Sequence, residues 1–288
     1  MTTVQGFGYL AIGVANLREA VEFYSRFVRL DVTEVIGSTA FMTGGLDHHW
    51  VRLEEGNGQG VKRIGYTVAD EHALAEVRDH LKEWGIEYTE GGDLPNEGVE
   101  RWLRFVDPGG APIELFTGMV ERGVAPVSNG INIETFLHGG WGTGNFDEVN
   151  RFYQDVLGFK VSDRIGDRVG FYRAGNRYHH SLALIRTPAF KFNHFCIQVE
   201  SLDDVMRFRS NAMRHGVRLR DDILKHAPSG SVGVYMQDEA RGFAVEFCVD
   251  HPQIDDEGYR PRILPATPES RDVWQSPLPE LPSATALL

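Results

Sequence analysis

The chain carries one pattern of residues twice. Residues 16–32, NLREAVEFYSRFVRLDV, match residues 145–161, NFDEVNRFYQDVLGFKV, at an offset of 129. In each stretch an asparagine (Asn16, Asn145) stands three residues before a glutamate (Glu19, Glu148), an N-cap with an acidic third position, and Phe-Tyr follows on the apolar face. IGYTVADEHALAEVRDHLKEWGI then pairs with FCIQVESLDDVMRFRSNAMRHGV, each read as strand, acidic turn and helix. Gly85 and Gly216 sit just past the helix ends, where a left-handed stop favours glycine. A third match pairs VDPGGAPIELF with MQDEARGFAVEF, closing on Glu114 and Glu246. Such a duplication predicts two tandem copies of one α+β module. The modules are placed at 1–118 and 131–251, joined around VERGVAPVSNG. A Pro-rich tail over 252–288 is expected on the surface without regular structure.

The two copies differ where chemistry is at stake. The second carries His138 on its first strand, 15 residues before Tyr153, where the first carries Tyr9, 15 residues before Tyr24. On the next matching strand His194 stands against Arg63, and on the last Glu246 stands against Glu114. Two imidazoles and a carboxylate suit a first-row divalent metal with open positions, whereas an arginine at the middle position repels a cation. Metal is therefore expected in the second module and not in the first. Cys196 and Cys248 follow His194 and Glu246 by two residues, hence on the same strand face, and are expected to fill the interior below the site.

Two cysteines are too few for a disulfide framework or a Cys-based zinc site, which favours a reducing, cytoplasmic setting. His48-His49 lack a third partner at suitable spacing and are expected in a loop or at an edge. DPGG at 107–110 is a turn, since no Gly-Lys-Ser/Thr follows. A net charge of −12 argues against a nucleic-acid partner and against an anionic membrane surface. Neither a signal-peptide pattern nor a run of about 18 apolar residues is present.

Through FYQDVLGF, YHHSLALI and NHFCIQVESLDDV, the second module resembles the catalytic module of the type I extradiol ring-cleavage dioxygenases, in the vicinal oxygen chelate superfamily. The resemblance covers nearly the whole chain. It implies four βαβββ units forming two cup-like barrels, the N-terminal one free of metal. It implies that His138, His194 and Glu246 hold Fe(II), or Mn(II), and that a catechol-type aromatic is cleaved with O2 by a homo-oligomer. His180, 14 residues before His194, would lie over the open metal positions as general acid–base. Its strand parity with Leu182 and Leu184 agrees with an inward face, and His179 would then point away into an outer hydrogen-bonding role. By the same resemblance His226 would bond a substrate hydroxyl or close the pocket, Tyr235 would bond the catecholate oxygen, and Tyr172 would form an aromatic wall. The family pattern is broken in three places: its proline is missing after Asp238, an extra residue precedes Glu246, and Ser229-Gly230 replaces an Asp-His pair. Metal-dependent isomerases or transferases, and small-molecule sequestering proteins built on the same cups, remain alternatives.

Overall fold

The computed structural model describes residues 4–56, 58–124, 126, 130–255 and 258–278; parts of the expected linker and the last ten residues of the tail lie outside these. The first unit runs β1 (Val4–Val14), α1 (Leu17–Phe23, continuing as a π-helical turn over Tyr24–Val28), β2 (Asp31–Ile36), β3 (Thr39–Thr43) and β4 (Val51–Glu55). The second runs β5 (Gly60–Val68), α2 (Glu71–Glu83), β6 (Tyr88–Gly91), a short α3 (Leu94–Glu97), β7 (Val99–Val106) and β8 (Pro112–Met119). The third repeats the plan with β9 (Ile133–Thr143), α4 (Phe146–Asp155), β10 (Lys160–Ile165), β11 (Val169–Arg173) and β12 (Leu182–Arg186). The fourth is β13 (Lys191–Val199), α5 (Leu202–Arg214), β14 (Leu219–Lys225), β15 (Val232–Asp238) and β16 (Phe243–Val249). These are the four expected βαβββ units.

They pair into two sheets of matching order, β2-β3-β4-β1-β5-β8-β7-β6 and β14-β15-β16-β13-β9-β12-β11-β10-β17. In each, the leading strands of two units meet antiparallel at the centre, β1 on β5 and β9 on β13. The ninth strand of the second sheet, β17 (Arg262–Leu264), belongs to the tail. The tail is thus a correction to the sequence reading. It adds β17 in parallel to β10, then α6 (Pro268–Arg271) and a 3-10 turn over Val273–Gln275. Proline spacing did not forbid this, because an edge strand loses little by lacking a donor on its outer side.

Capping separates the two copies. Asn16 accepts the Glu19 backbone N–H at 3.1 Å, a side-chain N-cap, and its amide NH2 donates to the Glu19 carboxylate at 3.2 Å. Asn145 instead takes a left-handed backbone (φ 47°) and makes no side-chain cap, so the second asparagine turns the chain rather than closing the helix. Gly85 and Gly216 both stop their helices at φ 67°.

One buried apolar cluster runs through both modules, with Phe7 stacked on Phe136 at 4.8 Å between ring centroids. The duplicated Phe-Tyr also has an inter-module use. Tyr24 of α1 donates to Asp238 at the end of β15 (3.2 Å), and Tyr153 of α4 donates to Asp107 at the end of β7 (3.0 Å). Each module's helix therefore pins the other module's turn, and DPGG is the receiving turn, with Asp107 also accepting the Gly109 and Ala111 N–H groups. Tyr153→Phe is expected to lower stability by about 1.5 kcal/mol, the worth of a buried bond to a charged group, read as the urea midpoint. Among the described residues no helix is long and apolar enough to cross a membrane.

Candidate metal centre

Register builds the site. On β13, Cys196 lies opposite His138 of β9 on one side and Glu246 of β16 on the other, and Glu246 in turn lies opposite Tyr235 of β15. Cross-strand partners share a face, and His194 shares it by the two-residue pleat. Four adjacent strands thereby aim His138, His194, Glu246 and Tyr235 into one cup. Gly140, opposite His194, is needed there: a Cβ would stand 2.5 Å from His194 Cε1.

The three expected ligands converge. His138 Nε2 and His194 Nε2 are 3.2 Å apart, and Glu246 Oε2 lies 3.2 Å from the first and 3.4 Å from the second. A first-row ion with bonds of about 2.1 Å needs cis donors about 3 Å apart, so this triangle has the right size. Its chemistry agrees. Glu246 Oε2 is buried without a hydrogen bond among the described residues, although both imidazole nitrogens stand close to it. Burial opposes ionisation of Glu246, but contacts with His138 and His226 override it and hold the carboxyl well below its usual range. Burial pushes His194 well below the ordinary imidazole value, leaving it neutral, and Asn193 Oδ1 on its Nδ1 (2.8 Å) leaves Nε2 as the free lone pair. The residues present fit a divalent ion.

Around this triangle lies a cavity of about 560 Å³. His180 and His226 line it, as does Tyr235, whose hydroxyl meets His226 Nε2 at 2.8 Å. The His180 ring is tilted against that of His138, with 4.2 Å between ring centroids, and burial holds its pKa well below the imidazole norm, with His138 and His251 adding to the shift. The parity argument for His180 was wrong even though the residue is inside. The backbone over His179–Ser181 is irregular, and the residues of β12 that line the cavity are Ala183 and Ile185, not Leu182 and Leu184. His179 turns outward onto Asp163 (2.9 Å).

Tyr172 needs correction. It is fully buried on the far face of β11, bonded to Asn150 of α4 at 2.8 Å, while its neighbour Phe171 forms the aromatic wall. The cysteines touch at 3.3 Å in a small buried cluster with Leu137, and Cys196 Sγ lies within 4.8 Å of donor atoms of His138 and Glu246. Sequence reasoning missed His251, whose Nε2 accepts the His180 N–H at 3.3 Å, because it stands where the tail begins. It also missed the tail itself: Ala266, Thr267 and Arg271 form the outer wall of the cavity. At Ser229-Gly230 the chain makes a tight turn, with Gly230 left-handed (φ 75°) and Ser229 on the cavity wall.

The first module places different groups in the same register. Tyr9 lies opposite Gly65, Gly65 opposite Glu114, and Glu114 opposite Arg104, so Tyr9, Arg63, Glu114 and Arg104 stand where His138, His194, Glu246 and Tyr235 stand in the second. Glu114 accepts from Tyr9 (2.7 Å) and pairs with Arg63 (3.7 Å) and Arg104. Arg104 pairs with Glu97, Glu97 with Arg52, Arg52 with Glu54, and Glu54 with Arg63. Three guanidiniums and three carboxylates close an alternating ring that occupies the first cup. His48-His49 do lie in a loop, but they are buried, and their bonds (His48 to Glu34 at 3.2 Å, His48 to His49 at 3.0 Å) copy those of His179-His180. The offset of 131 that joins Arg63 to His194 also joins these pairs and could have revealed them.

Comparison with known proteins points the same way. The sequence model of the Glyoxalase/Bleomycin resistance protein/Dioxygenase superfamily matches residues 6–115 and 136–247. Biphenyl-2,3-diol 1,2-dioxygenase of Paraburkholderia xenovorans LB400 is 35% identical over 172 residues, which are 54% of this chain and 58% of that one. The chain thus spans little more than half the length of that relative. An iron-dependent extradiol dioxygenase of Rhodococcus jostii RHA1 is 31% identical over 221 residues, 68% of this chain and 72% of its own. Among solved structures, a Mn(II)-bound glyoxalase from Novosphingobium aromaticivorans superposes with a TM-score of 0.88 at 22% identity, covering 99% of this chain and 97% of its own; at that identity the likeness concerns the fold alone.

Proposed function

The chain belongs to the Glyoxalase/Bleomycin resistance protein/Dioxygenase superfamily and, within it, to the extradiol dioxygenases, and from that membership we propose that it cleaves a catechol-type aromatic with O2. The observation that carries this reading is the buried triangle of His138, His194 and Glu246 beside a histidine-lined cavity. Those three residues would hold Fe(II) or Mn(II). When bound, the ion would supply Lewis acidity and a path for electrons between catecholate and O2.

The chain's own residues supply the rest. His180, held neutral by burial, is in the form that takes the proton of a catechol hydroxyl and can return it to the ring-opened product. Tyr235 and His226 form a bonded pair at the edge of the triangle, where they would orient the catecholate. Burial holds the Tyr235 phenol well above its usual pKa, so it stays a donor. Ile165, Val169, Phe171, Ala183 and Ile185 make an apolar wall that excludes water and leaves room for an apolar ring substituent. Both oxygen atoms enter the product, as the carbonyl and carboxylate of a ring-opened acid.

The test is oxygen uptake by the full chain loaded anaerobically with Fe(II) or, separately, Mn(II), given catechol, 3-methylcatechol and 2,3-dihydroxybiphenyl. One O2 consumed per yellow product formed supports the reading. Stoichiometric metal with no uptake on any of the three overturns it and favours an isomerase or a sequestering protein.

A further inference from the structure

The tail reaches the reaction centre through a chain of four side chains. His180 Nδ1 lies 3.1 Å from His179 Nδ1, and His179 Nε2 lies 2.9 Å from Asp163 Oδ2. Asp163, on β10, is fully buried and is gripped from the tail. Its Oδ1 accepts the Arg262 backbone N–H (2.8 Å) and Tyr259 OH (3.3 Å), and the Arg262 guanidinium spans both oxygens (Nε–Oδ1 3.1 Å, Nη2–Oδ2 2.5 Å). The same guanidinium donates to Pro228 O, tying the tail to the loop beside His226. The first module has the equivalent line Glu34–His48–His49, but Glu34 is 48% exposed and, among the described residues, has no such clamp. Among the described residues the clamped version occurs only in the second module.

We infer that Asp163, locked by Arg262, is a positioning residue that acts through His179 to set the tautomer of His180 with the hydrogen on Nδ1 and a bare Nε2. The inference rests on the proposed acid–base use of His180 but is a claim about the chain whether or not that use is correct. Its logic is a count of donors and acceptors. Burial alone would raise the Asp163 pKa, but bonds from His179 and Arg262 hold it at about 2, so it only accepts. Burial lowers the His179 pKa and keeps its ring neutral, so with the hydrogen on Nε2, toward Asp163, its Nδ1 is an acceptor. An acceptor at 3.1 Å requires the hydrogen on His180 Nδ1.

Asp163→Asn should reverse the line. Arg262 N–H, Arg262 Nε and Tyr259 OH all donate at Oδ1, so the amide oxygen keeps that larger set of donors; the NH2 then takes the Oδ2 position facing His179, and the Arg262 Nη2 bond at that position is given up. His179 Nε2 then accepts, its Nδ1 carries the hydrogen, and His180 is left with the hydrogen on Nε2. The experiment is 15N NMR of histidine-labelled full chain loaded with Zn(II), a diamagnetic probe, with the His180 signal identified by its loss in His180→Gln. The expected result is Nδ1–H in the wild type and Nε2–H in Asp163→Asn. With the catalytic metal, the variant should keep wild-type metal content and a KM within about twofold, while kcat falls at least about 10-fold. Wild-type His180 protonated on Nε2 overturns the inference, and that measurement stands even if the variant fails to fold. An unchanged tautomer in a folded variant also overturns it. A reversed tautomer in a protein that cleaves no catechol leaves the relay standing and removes the dioxygenase reading instead.

Discussion

Glu246→Gln is expected to abolish metal binding while leaving the fold intact. Metal content should drop from near one per chain to a background level, and oxygen uptake with it. The loss should exceed the roughly 10–100-fold that removal of an outer hydrogen-bond partner costs a metal site. Glutamine keeps the shape of the side chain but not its charge, and its amide NH2 can donate to the two imidazole nitrogens that lie 3.2 and 3.4 Å from Oε2. The lone pairs a metal needs would then be occupied by hydrogen bonds. Because the change replaces a buried acceptor that has no hydrogen bond among the described residues by a donor that the imidazole nitrogens can accept, the metal-free variant should unfold no more easily than the metal-free wild type. The diagnostic is thermal unfolding with and without added metal. Added metal raises the wild-type midpoint by mass action and leaves the variant unmoved. An equal shift in both would place the ion somewhere other than the triangle.

Glu114→Ala, the equivalent change in the first module, should do the opposite: destabilise the fold by about 3 kcal/mol while metal content and turnover persist. Glu114 is fully buried and joins Tyr9, Arg63 and Arg104, so its removal opens the six-charge ring and leaves two guanidiniums facing each other across a cavity. Those guanidiniums are 18% and 23% exposed, so water can reach them, which keeps the cost at the lower end for a broken buried pair. The urea midpoint of metal-free protein reads the effect. Two glutamates at matching positions would thus give opposite phenotypes, one losing chemistry and the other losing stability. The reason is the cation each one would face: arginines supplied by the chain in one cup, and in the other the ion that the proposed function places there.

Much of this was legible in the residues because duplication converts a fold question into a comparison. The helix starts, the glycine stops and the strand positions of His138, His194 and Glu246 follow from local spacing and from aligning one copy on the other. Reading Arg63 against His194 separated a cup that holds its own cation from one that does not, before any coordinates. Local periodicity failed where the backbone leaves the regular pattern. Over His179–Ser181 the strand alternation is lost, so the face of His180 was reached by faulty parity, and on β11 the cavity takes Phe171 rather than Tyr172.

What the sequence by itself determined is the pair of α+β copies and the side chains that each central strand brings to its cup, imidazoles and a carboxylate in one, a tyrosine, an arginine and a carboxylate in the other. Only the tertiary structure decided that the tail lines the cavity, that His251 stands behind His180, and that Asp163 meets Arg262 across 99 residues. Spacing along a strand or helix is set by backbone geometry shared by every residue in it, so a pattern reveals it. A contact between an edge strand and a distant tail depends on the path of the whole chain, and no local period records that.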